Sequence, residues 1–122
     1  MAYSTQATRP MRELMANLPR LPLTKKQEID FQAASPDLLV AIADDAETAM
    51  NVIHMGVGAL GQLLAHSAVV IEDGTIGADS VEHIGFLMSE LGDLAARCMT
   101  LAARCRRETL DYSPAIADHL PR

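Results

Sequence analysis

The sequence predicts an all-α protein built on a long antiparallel helical hairpin, and three observations carry that expectation. In the second half of the chain, Val81, Ile84, Met88, Leu91, Ala95, Cys98, Ala102 and Cys105 recur at steps of three and four, an unbroken apolar seam at helical spacing. A second seam, Leu39, Ile42, Ala46, Ala49, Ile53, Gly56, Leu60 and Leu63, runs through the middle with the same steps. Apolar residues make up 49% of the chain while Phe, Trp and Tyr make up only 3%, so the core must be built from Ala, Leu, Val, Ile and Met. That palette suits packed helices, whereas sandwiches and barrels draw on aromatic and β-branched side chains.

A chain of 122 residues supports one domain with a modest core. Its expected divisions are an arm over 1–36 with short helices, a hairpin domain over 37–112 and a tail over 113–122. Pro10, Pro19, Pro22 and Pro36 forbid one continuous helix in the arm. Pro10 can open a short helix over Met11 to Leu18, with Leu14, Met15 and Leu18 on its apolar side. Leu21-Pro22-Leu23 reads as extended, because a residue before proline is pushed out of the α region. Thr24 and Gln27 form a capping-box pattern, which predicts a second short helix over Lys25 to Ala34 anchored by Ile29 and Phe31.

Ser35-Pro36-Asp37 marks a helix start: a capping hydroxyl, proline in the first turn and an acid near the positive end of the dipole. The first long helix is expected over about 37–70, with Asp44, Asp45, Glu47 and Asn51 on its solvent side. Asp73-Gly74 supplies the turn. Asp79 with Glu82 offers a capping box, with Ser80 as the alternative cap, and the second long helix follows over about 80–112. Each rod has about 30 residues and is roughly 45 Å long, so a short connection folds them back on each other.

Centring the fold-back on Gly74 sets Gly56 against Gly92, Leu63 against Gly85, Ile53 against Ala95 and Ala46 against Ala102. The same register brings Arg104 near Asp44 and Asp45. Interior glycines cost about 1 kcal/mol each relative to alanine, which implies that close helix contact offsets them. Beside the seams lie second apolar rows: Leu87, Leu94 and Leu101 on one helix, Met50, Val57 and Leu64 on the other. A single hairpin leaves these rows wet. Two copies are therefore expected to associate as a homodimeric four-helix bundle.

The net charge is −6, split as +2 over residues 1–36 and −8 over 37–122. An acidic body disfavours nucleic acid and anionic membrane, since neutralising phosphates needs clustered Lys and Arg. It suits a basic protein partner, with Asp44, Asp45 and Glu47 as contact residues. Arg97, Arg104, Arg106 and Arg107 complement the dipole at the end of their helix. From Met50 to Ile71 no Asp, Glu, Lys or Arg occurs, long enough to span a bilayer, but Asn51, His54, Gln62, His66, Ser67 and three glycines speak against insertion. Cys98 and Cys105, seven apart on one helical face, would stand roughly 10 Å apart, beyond the ~7 Å reach of a disulfide. Two reduced thiols and the absence of a signal-peptide layout point to a cytoplasmic protein.

Catalytic signatures are sparse. Gly56-Val57-Gly58-Ala59-Leu60-Gly61 is a literal G-x-G-x-x-G and resembles the dinucleotide-binding fingerprint of Rossmann enzymes. That resemblance implies a strand before the glycines and a ribose-gripping acid at Glu72. Glu72 comes 16 residues after Gly56, short of the usual spacing of about 20, and the apolar seam runs through the glycines without a break. A dinucleotide-binding domain using Gly56, Gly58, Gly61 and Glu72 is the alternative reading.

His66, His83 and Asp79 flank the turn and are the candidates for a metal, without any paired-ligand motif to support them. No cofactor is expected. Seam cysteines behave as small apolar fillers, and buried thiols are poor nucleophiles.

In layout, an acidic seam-bearing helix followed by the stretch Glu82 to Cys98, EHIGFLMSELGDLAARC, the chain resembles short two-helix proteins of unknown function in proteobacterial accessory genomes. The resemblance covers residues 37 to 105 and transfers no site. It implies a non-enzymatic accessory role, such as carriage on a plasmid, phage or integrated element. The function expected is thus an acidic helical binder or inhibitor of a partner protein.

Overall fold

In a computed structural model, which describes residues 9–112, the chain forms helices α1 (Pro10–Asn17), α2 (Pro36–Ala65), α3 (Ala68–Glu72) and α4 (Ala78–Glu108). A 3-10 turn at Leu18–Arg20 follows α1. Among the described residues there is no β-strand, and the one extended pairing is an isolated antiparallel bridge between Leu23 and Ile29. The tail over 113–122 lies outside the described residues.

Helices α2 and α4 pack along each other as the two seams require. They run antiparallel: Arg106, near the end of α4, reaches Asp44 and Glu47 near the start of α2. The Tyr112 hydroxyl donates to Asp37 at the same end. Pro36 sits in the first turn of α2, where its missing N–H costs nothing. Ser35 occupies the N-cap position, but its hydroxyl makes no capping hydrogen bond.

Three local expectations are corrected. Lys25 to Ala34 is not a helix: Gln27 takes a left-handed φ of 67°, and the chain reverses through bonds from Thr24 N–H to the Glu28 carbonyl (2.7 Å) and from Asp30 N–H to the Pro22 carbonyl (2.8 Å). Thr24 Oγ1 does accept nearby amides, from Lys26 at 3.2 Å and Glu28 at 3.3 Å, yet it closes a turn and starts no helix. Gly77 is the N-cap of α4, in place of Asp79 or Ser80, and Asp79 lies in the first turn. The connection between the long helices also holds a helical turn of its own, α3, before Gly74 turns the chain at φ 84°.

The core sits at one end of the hairpin. Leu39, Ile42, Ala46 and Ala49 from α2 meet Cys98, Ala102 and Cys105 from α4, and the arm adds Leu14, Leu21 and Ala34 to the same cluster. Met11, Leu18, Phe31, Met50 and Leu101 pack around it. Arm and hairpin therefore share one core. Past Ile53 on α2, and before Ala95 on α4, no residue is fully buried. There Leu60 of the seam, with Val57 and Leu64 of the row expected to stay wet, lies opposite Ile84, Met88 and Leu91 at half burial, because two helices alone can cover only the strip where they touch.

The glycines do not serve as contact points. A β-carbon placed on Gly56, Gly58, Gly61, Gly85 or Gly92 meets nothing within 4 Å, so the expected Gly56–Gly92 and Leu63–Gly85 contacts are absent, whereas Ala46 and Ala102 share the core. Interior helix glycine without a packing role lowers stability. Gly58→Ala and Gly92→Ala are each expected to raise unfolding free energy by about 0.5–1 kcal/mol. In the same urea titrations Ile42→Ala, at 0% exposure, should lower it by roughly 2–5 kcal/mol.

Candidate interaction surfaces

The acidic face of α2 is already occupied from within the chain. Arg106 Nε and Nη2 grip Glu47 at 3.2 and 2.8 Å, and Nη2 also reaches Asp44 at 2.6 Å. The expected partner was Arg104; instead Arg104 bonds Glu108 at 3.0 Å, one turn on, and lies over the Phe31 ring at 4.4 Å. Hydrogen bonding to Arg106 holds the Glu47 carboxyl below its usual range, and the two acids push the guanidinium upward. Asp45 goes the other way: burial raises its carboxyl, Glu13 and Asp44 add repulsion, and a hydrogen bond from Asn17 opposes them. Asp44 and Glu47 thus tie α2 to α4, while Asp45 lies under the arm.

A second surface comes from residues seven apart, which share a face of a long helix. Ile42 and Ala49 are fully buried; the same row continues to exposed Gly56 and to Leu63 at 65% exposure. The neighbouring row passes from buried Leu38 through half-buried Asp45 to exposed Val52 and Ala59. On α4, Leu101 packs against the core beside the arm, whereas Leu94 and Leu87 are 42% and 51% exposed. The arm covers these rows at one end of the hairpin and stops. Beyond it, Val52, Leu63, Leu87 and Leu94 form an apolar face with small residues, Gly56 and Ala59, between them.

The remaining candidates are scattered. Gly56, Gly58 and Gly61 lie inside α2, with helix on both sides and Glu72 in α3, so the strand and turn that a dinucleotide fingerprint needs are missing. His66 caps the end of α2, its Nδ1 beside the Gln62 carbonyl at 2.9 Å. His83 and Asp79 are exposed near the start of α4. Among the described residues no three His, Cys, Asp or Glu side chains gather where a metal could sit. Cys98 and Cys105 are free and buried, and burial pushes both thiols above their ordinary range. No helix among the described residues is long and apolar enough to cross a membrane.

Sequence reading missed two things here. Leu63 looked like a seam residue, but the close contact drifts onto Leu60 and Leu64 and leaves Leu63 outside. Phe31 was expected to anchor a short helix, and its place beside α4 has no signal in local spacing. No protein-family model, curated protein or solved structure matches the chain.

Opposite signs are expected for two acids. The stability that Glu47 contributes is present above its usual value of 4.5 and is lost as pH falls through its lowered folded value. Arg106→Gln should cost about 1 kcal/mol at neutral pH, in line with a partly exposed bidentate pair, and the cost should vanish in acid. Asp45→Asn should stabilise at neutral pH. That gain should shrink as pH falls through the raised Asp45 value and be gone below 3.8, as thermal melts across pH would record. Separately, Cys98 and Cys105 should resist a thiol reagent in the native protein and react at once in denaturant.

Proposed function

We propose that this chain is a non-enzymatic interaction protein that acts as a homodimer, with the uncovered apolar face of its hairpin as the contact between copies. The observation that carries the reading is the abrupt end of the arm. Rows that are sealed at Ile42 and Ala49 and partly covered at Leu101 lie open at Leu63, Leu94 and Leu87. Large contiguous apolar surface on a folded chain is costly to leave in water and marks a contact site.

A second copy is the occupant best suited to it. From Met50 to Ile71 there is no Asp, Glu, Lys or Arg, so the α2 half of the face meets its copy without like-charge repulsion. Gly56 and Ala59 let another helix approach. Isologous pairing of two hairpins across this face builds the four-helix bundle in which every apolar row is covered. The acids Asp44 and Glu47, held by Arg106, play a structural part in this reading and leave less charge for a basic partner.

An accessory role, binding or inhibiting another protein in a reducing cytoplasm, fits this scaffold. Its support is the pair of free buried thiols, which suit a reducing compartment. Sedimentation of the wild type should give a dimer. Leu63→Glu combined with Leu94→Glu should give a monomer with the same helical circular dichroism. A wild type that stays monomeric over a wide concentration range would sink the dimer.

A further inference from the structure

The outward face of α4 carries a feature that neither the dimer face nor the bonds between helices use. Arg97, Arg104 and Arg107 follow one another along the helix, Phe31 arrives from the arm, and with Met99 and Leu101 they border an open groove of about 540 Å³. Its lining is mainly apolar, with the cations set around it. Arg104 is committed, bonded to Glu108 and stacked on Phe31. Arg97 and Arg107 are exposed and pair with no acid among the described residues, although the chain has a net charge of −6. Asp93, one turn before Arg97, makes no ion pair with it.

We propose that this groove docks an acidic segment of another protein. Two carboxylates of the segment meet Arg97 and Arg107, whose positions ten residues apart on a helix place them about 15 Å from each other. An apolar side chain between those carboxylates lies on Phe31 and Leu101. Charge complementarity sets the sign of the occupant, and the planar guanidinium fork matches a carboxylate with two parallel bonds. Arg104 prepares the site by fixing Phe31, so the floor exists before anything binds.

Nucleic acid fits the groove less well. One face of the Phe31 ring is taken by Arg104 and the residue packs against the core, so what is left of the ring can touch an aliphatic side chain but is too small for a base to stack on. The dimer face continues the Leu101 row towards the turn end of the hairpin, at Leu94 and Leu87, and the groove is lined by neither of these two residues.

The test uses the full chain and a fluorescein-labelled peptide of Glu-Ala-Leu-Ala-Glu repeats, followed by anisotropy. Saturable binding is expected, weakened by salt and lost when Gln replaces Glu in the peptide. Arg97→Glu with Arg107→Glu should weaken it roughly tenfold or more, the scale set by removing two exposed charge contacts and reversing their sign. Both arginines are on the surface, and circular dichroism checks that the variant remains folded. No saturable binding to the wild type overturns the proposal, as does equal affinity in the double variant. Tighter binding of fluorescein-labelled oligothymidylate, lost in the same variant, also overturns it and assigns the groove to nucleic acid.

Discussion

Two helices lying side by side can hide only one strip of each, and the organisation of this chain follows from how that limit is met. At one end a third layer, the arm, closes over the strip and its flanking rows; Ile42, Ala43, Ala46, Ala49 and Cys105 fall to 0% exposure as a result. At the other end nothing in the described residues supplies that layer. The contrast lies in coverage alone, since the apolar rows run through both halves.

The arm is short of regular structure but well attached. Leu14 and Leu21 bury their side chains in the shared cluster, Asn17 lies beside Asp45, and Gln32 donates to Glu108 at 2.8 Å. Its prolines break it into pieces that each follow the surface of α2 or cross to α4. A continuous helix would have been too stiff to make both contacts. Arg106 complements this from the far side of the hairpin, where it clamps two acids of α2.

The two long helices were legible in the sequence because period and composition agreed over many turns, from Leu39 to Ile53 and from Ala95 to Cys105. Burial at those positions follows the seam residue by residue. Gln27 shows where such reading ends. Thr24 and Gln27 match a helix start by type, but the left-handed turn between them depends on Leu23 and Ile29 pairing across the loop, which local pattern does not encode.

The glycines mislead for a related reason. Spacing places Gly56 and Gly92 close to the strip, and only the drift of the two helices around each other decides that no atom lies near them. Arg104 and Arg106 differ in role by two residues, less than one turn, which is finer than a register centred on one glycine can resolve. The apolar face and the groove beside Phe31 depend on where the arm stops and crosses, and distances of that kind appear only once the chain is folded.

The one-sided core has a mechanical consequence. A hairpin tightly packed at its arm end and only half covered at its turn end is unevenly stiff along its length. Slow amide exchange belongs near Ala46 and Ala102, and faster exchange belongs towards Leu64 and Val81. A contact that covers the turn end would slow exchange there and leave the arm end unchanged, so its occupancy is readable as a local loss of motion.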